Sequence, residues 1–128
     1  MIVLDASAAV AALLNDGNAR RLVGSEGLHA PHLIDAEVVS ASRRLVLAGT
    51  LNAEDGLKCL EAWSHLAVIR YAAGPLLQRM WELRGGISAY DAMYVALAEL
   101  LDCALVTADA RLSRASGLRC SVTVVPDF

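Results

Sequence analysis

Met1-Ile-Val-Leu-Asp5-Ala-Ser7 opens the chain, and its reading decides the rest. Three apolar residues in succession, two of them β-branched, read as a short buried strand. An acid directly behind such a strand must find hydrogen-bond donors or a cation, or stay exposed on a turn. In an open α/β sheet the ligand crevice lies just beyond the carboxyl ends of the strands, so Asp5 stands where that fold does chemistry. The Ala-rich stretch 6–14 then reads as a helix, closed by Asn15-Asp16-Gly17.

Strand followed by helices is a pattern the remainder repeats. Residues 19–23 continue as a short helix, Gly24 to Gly27 break it, and 28–30 form a weak strand before Pro31. Ile34, Val38, Ala41, Leu45 and Ala48 recur at helical spacing up to Gly49, a natural C-terminal stop, with Glu37 in the first turn. Asn52 caps a helix reaching about His65, with Glu54 and Asp55 favoured by the dipole of its first turn. Residues 67–71 read as a strand, and Pro75 starts a helix that runs through Leu83 to Gly85-Gly86. Ser88-Ala-Tyr-Asp91 has capping-box spacing, with Asp in place of the usual Glu or Gln, ahead of a long apolar helix to about Leu101. Residues 104–107 form a strand ended by Asp109, 110–115 a short helix, and 121–125 a final strand. Strands separated by helix pairs predict an α/β fold: a central parallel sheet of four to five strands, flanked by helices on both faces.

With 128 residues and no sign of a linker, one domain over residues 1–128 is expected. The apolar share of 56% is high, although much of it is Ala; the excess points to a surface that faces a partner. Leu76, Leu77, Met80 and Trp81 are the candidates for it. No apolar stretch is long enough for a membrane span, and Asp5 interrupts any signal-peptide core, so a cytoplasmic protein is expected. Cys59, Cys103 and Cys120 are odd in number and widely spaced, which argues against a disulfide framework or zinc knuckle and suggests small core residues. A net charge of −3 and a single lysine, Lys58, argue against broad electrostatic attraction to nucleic acid; a phosphate ligand must be held locally.

Each acid has a purely structural reading. Asp5 and Asp109 can cap helices, Asp91 occupies the third position of a capping box, and Glu37 can favour its helix dipole or pair with Arg44. Their joint placement favours function, because Asp5, Glu37, Asp91 and Asp109 all fall at strand C-termini or helix N-termini, on one rim of one sheet. Four clustered carboxylates repel unless their pKa values rise or divalent cations neutralise them. Oxygen-only ligands with open water positions suit Mg²⁺ or Mn²⁺ rather than zinc, with the Ser7 and Thr107 hydroxyls as support or, equally, as local backbone caps. His29 and His32 lack a further spaced ligand and read as surface or loop residues. Trp63 and Trp81 read as core or partner contacts, and Arg20-Arg21 and Arg43-Arg44 as solvated helix faces. Walker A, G-x-G-x-x-G and G-x-S-x-G motifs are absent, which weakens nucleotide hydrolysis and acyl transfer.

Over nearly its whole length the chain resembles PIN-domain ribonucleases, in particular the VapC toxins of bacterial toxin–antitoxin pairs. The motifs that carry the likeness are Ile2-Val-Leu-Asp5-Ala-Ser7, Asp35-Ala-Glu37-Val, Tyr90-Asp91-Ala-Met-Tyr-Val-Ala-Leu-Ala and Leu105-Val-Thr107-Ala-Asp109. The resemblance implies an acidic cluster of Asp5, Glu37, Asp91 and Asp109, supported by Ser7 and Thr107, and Mg²⁺-dependent hydrolysis of RNA phosphodiesters, with Mn²⁺ able to substitute. It also implies a homodimer and a cognate antitoxin of the VapB type, whose tail would occlude the cleft. The rival expectation is a catalytically silent module of the same fold that grips RNA or a protein. A phosphoacceptor receiver domain is disfavoured, because the only lysine, Lys58, lies inside a helix.

Overall fold

A computed structural model describes residues 1–128. The elements are β1 (Ile2–Leu4), α1 (Ala6–Leu14), α2 (Asn18–Ser25), β2 (Leu28–Pro31), α3 (Ile34–Leu47), α4 (Ala53–Ser64), β3 (Val68–Tyr71), α5 (Leu77–Glu82), α6 (Ala89–Leu101), β4 (Ala104–Thr107) and β5 (Val122–Val124). All five strands are parallel, in the order β3-β2-β1-β4-β5. The chain builds outward from β1 through β2 to β3, then returns to add β4 and β5 on the other side. The strand order therefore reverses between β1 and β4, which makes the carboxyl end of β1 the crevice of the sheet.

Every residue of β1 and of β2 is buried, as expected of central strands covered on both faces. One helical layer is α1 packed on α2, α3 and α4; α6 packs on β1, β2, β4 and α5. The core is dominated by aliphatics of β1, β4, α1 and α6, with Val3, Leu4, Val95, Leu97 and Leu105 fully enclosed. Away from the cleft, the Asp35 carboxylate ties α3 to α4 and β3. It accepts from Trp63 Nε1 at 2.8 Å and from Arg70 Nε and Nη2 at 2.7 and 2.8 Å. The Arg70 guanidinium holds the Asp35 carboxyl below its ordinary value.

Several local expectations are corrected. The short helix expected over 110–115 is a 3-10 turn, Ala110–Arg114, and the Pro75-led helix starts as a 3-10 turn, Gly74–Leu76, before α5. Segments this short do not recover the cost of nucleating an α-helix. His29 is buried, because β2 is a central strand, and its Nδ1 lies 2.7 Å from the Tyr71 hydroxyl. Cys59 is a core residue, but Cys103 and Cys120 are only partly covered. The proposed apolar quartet divides by helical face: Leu76 is buried and Met80 packs on the core, whereas Leu77 and Trp81 are 59% and 67% exposed. Trp81 carries Arg84 over its ring, 4.5 Å from the centroid.

Candidate active site

Asp5 is only 6% exposed, yet its carboxylate is fully engaged. Oδ1 accepts from the Ala8 amide at 2.9 Å and the Ser7 hydroxyl at 2.7 Å, and Oδ2 accepts from the Thr107 hydroxyl at 2.5 Å. Asp5 is thus the N-cap of α1 and the deepest acid of the cleft at once. Burial pushes its pKa up and the Asp91 charge adds to this, while the three donors pull it down. The two hydroxyls also accept in turn: Ser7 Oγ from the Ala108 amide at 2.9 Å, Thr107 Oγ1 from the Asp109 amide at 3.0 Å. They lace the end of β1 to the end of β4.

The other acids arrive from three separate segments. Glu37, in the first turn of α3, accepts from the Tyr94 hydroxyl of α6 at 2.5 Å. Burial and Glu37 push the Tyr94 pKa far up, so this hydroxyl stays a donor. Asp91 lies in the first turn of α6, where its amide donates to the Ser88 cap at 3.1 Å. Its pKa is raised by burial and by the Asp109 charge. Asp109 caps the 3-10 turn and is gripped by Arg111, whose Nε and Nη2 lie 3.1 and 3.0 Å from its two oxygens and hold its pKa down.

All four acids expected from the sequence, and Ser7, line one cleft of about 360 Å³, with Thr107 hydrogen-bonded beneath. They converge without being drawn into a closed ligand set: no three His, Cys, Asp or Glu side chains are grouped closely enough to hold an ion. The suggested Glu37–Arg44 pair is absent. Seven residues separate the two along α3, and Arg44 instead donates to Ser40 Oγ at 3.1 Å. Arg44 is exposed, as expected, and also stands on the cleft wall, as do Asp127 and Phe128. Tyr94 is not among the site residues expected from the sequence, and its one signal is its place a helical turn after Asp91; Asp127 and Phe128 carry no local signal.

The PIN domain family matches residues 2–118 of the chain. The chain belongs to the PIN domain family. A curated relative, ribonuclease VapC9 of Mycobacterium tuberculosis, is 58% identical over 126 residues, covering 98% of this chain and 99% of its own length. This PIN domain is therefore of the VapC type. Among solved structures, PAE2754 from Pyrobaculum aerophilum aligns with a TM-score of 0.71 at 22% identity, covering 94% of this chain and 81% of that one. VapBC2 from Rickettsia felis, bound to a DNA fragment from its promoter, gives 0.65 at 17% identity over 96% and 99%. Both likenesses establish the fold.

Proposed function

We propose that this PIN domain is a Mg²⁺-dependent endoribonuclease toxin that hydrolyses RNA phosphodiester bonds and is neutralised by a VapB-type antitoxin. The observation that carries the reading is the convergence of four carboxylates, from four separate segments, in one cleft at the reversal of strand order. The 58% identity to a protein named ribonuclease VapC9 supports the substrate class, and the VapBC2 complex supports the kind of partner.

The donor set suits a hard divalent cation. It contains only carboxylates and hydroxyls, and the two half- or fully buried acids Asp5 and Asp91 have pKa values pushed up by burial and by neighbouring acids, a cost that a cation offsets. Mg²⁺, with Mn²⁺ as substitute, would lower the pKa of an attacking water and offset charge on the leaving oxygen. Asp5, Asp91 and Asp109 are the residues to hold it, with Glu37 as ligand or water-orienting base. Ser7 and Thr107 fix both oxygens of Asp5, and Tyr94 fixes Glu37. A single-stranded or looped RNA fits a narrow cleft better than a duplex.

No helix is long and apolar enough to cross a membrane. We assign the chain to the cytoplasm as one PIN domain over residues 1–128. Leu77 and Trp81 supply the apolar area for a homodimer or antitoxin contact. One observation favours the rival reading of a silent binding module: Asp109 is closed off by Arg111. Incubating the purified, antitoxin-free protein with a pool of structured RNAs, in Mg²⁺ or in EDTA, followed by end mapping, separates the two. Discrete Mg²⁺-dependent ends support the enzyme; intact RNA in Mg²⁺ supports the module.

A further inference from the structure

Arg44 lines the cleft with the four acids, and Arg111 is forked on one of them, Asp109. The face of α3 that lines the cleft runs Glu37, Ser40, Ala41, Arg44, Leu45, a spacing of three, four, seven and eight residues that keeps them on one side of the helix. Its neighbour Arg43 faces away, into the apolar groove between α3 and α4 beside Val39, Val46 and Leu57. Arg44 makes no ion pair, although acids line the same cleft; its guanidinium donates to the Ser40 hydroxyl. Arg111 approaches from the β4 side, 85% exposed, with its guanidinium forked on Asp109. In the chain Arg44 follows β2 and Arg111 follows β4, the two strands that lie on either side of β1 and its Asp5 end.

A polyanion entering this cleft meets four carboxylates on a chain whose net charge is already −3. A cation held by the acids would serve the scissile phosphate alone. The phosphates on either side need their own positive partners, and planar guanidinium forks are suited to them. We infer that Arg44 and Arg111 hold the RNA backbone on the two sides of the scissile phosphate, Arg44 with a guanidinium free for it and Arg111 on release from Asp109. This rests on the ribonuclease reading above. Arg111 then has two successive partners: it pairs with Asp109 before RNA binds, and it turns to phosphate when a divalent cation takes that carboxylate.

The test uses the whole chain, free of antitoxin, with a fluorescein-labelled, mixed-sequence single-stranded RNA, followed by anisotropy in Ca²⁺ across a salt series. Arg44→Gln and Arg111→Gln should each reduce the slope of log affinity against log salt by about 0.7, the value for one phosphate contact on a single strand. Arg44→Lys should restore the slope, and Arg43→Gln, one residue away on the other face, should match the wild type. Mn²⁺ binding, read by electron paramagnetic resonance, should be unchanged in Arg44→Gln and tighter in Arg111→Gln, where Asp109 is freed. In Mg²⁺, both Gln variants should raise KM more than they lower kcat. If Arg44→Gln keeps the wild-type slope, or lowers only the melting temperature through its place in the last turn of α3, the inference is overturned. A wild type that neither binds nor cleaves RNA overturns the ribonuclease reading and this inference with it; a wild type that cleaves, with unaltered variants, overturns the inference alone.

Discussion

Asp5→Asn separates a buried acid that serves a cation from one that merely caps α1. Asn caps a helix as well as Asp does, so the Ala8 amide keeps its acceptor, and the Ser7 and Thr107 hydroxyls can bond the amide in either sense. The charge is what disappears. A carboxyl whose folded pKa is raised adds stability only when protonated; that contribution is complete below its ordinary value near 3.8 and lost as pH rises through the folded one. An ionised Asp5 is therefore a cost and a protonated one is not, so in either state Asp5→Asn should melt at or above the wild type without metal. With metal the order reverses. A cation present at a hundred times its Kd stabilises the wild type by about 2.7 kcal/mol. For 128 residues the unfolding entropy is about 0.27 kcal/mol/K, so the melting temperature should rise by about 10 °C. If the substitution weakens binding a hundredfold, the same concentration adds only about 0.4 kcal/mol, or about 1.5 °C. Differential scanning fluorimetry at pH 7 with and without Mn²⁺ reads both numbers. An Asp5→Asn protein that keeps the full metal-induced shift, or that melts several degrees below the wild type without metal, refutes the reasoning.

Tyr94→Phe deletes the donor held 2.5 Å from Glu37 and leaves the ring in the core; it should cost about 1.5 kcal/mol, the low end for a hydrogen bond to a charged group, and an unchanged melting temperature would mean that the bond adds nothing. Arg70→Ala releases Asp35, whose pKa is held down. The stability it contributes is complete above the ordinary value near 3.8 and lost as pH falls through the depressed one, so the gap between variant and wild type should narrow in acid denaturation below about pH 4, and a constant gap contradicts this. Trp81→Ala should shift monomer stability by less than about 0.5 kcal/mol while weakening self-association or antitoxin affinity in sedimentation, whereas Leu76→Ala should cost about 2–5 kcal/mol; equal melting losses would refute the division between an exposed and a buried face.

What was legible in the chain was local. Ile2–Leu4 announces a central strand because three consecutive positions are apolar, and Ser88 and Asn52 mark the starts of α6 and α4 through caps that form between residues three apart. The four acids could be placed on one rim because each stands at an element's end. The side-chain partners were not legible where they cross the sheet. Tyr94 reaches Glu37 across 57 positions, and Thr107 reaches Asp5 across 102, distances at which periodicity says nothing. Two structural readings and the functional one proved compatible: Asp5 and Asp109 cap their segments and line the cleft together. His29 reads as peripheral because it lies in a short strand with a proline, whereas the pairing of β2 with both β1 and β3 places it in the sheet interior, where it is buried. Arg111 carries no sequence signal, because its role depends on where the turn after β4 aims the Asp109 carboxylate, which no spacing rule predicts.

The claim that these four carboxylates form one divalent-cation site is tested most directly by anomalous diffraction from crystals of the protein grown with Mn²⁺. The account predicts a single strong peak, or a close pair, in the cleft within coordination distance of Asp5 and Asp91, with Asp109 turned from Arg111 toward it. A peak elsewhere, or a cleft without one at a Mn²⁺ concentration that supports cleavage, would contradict it.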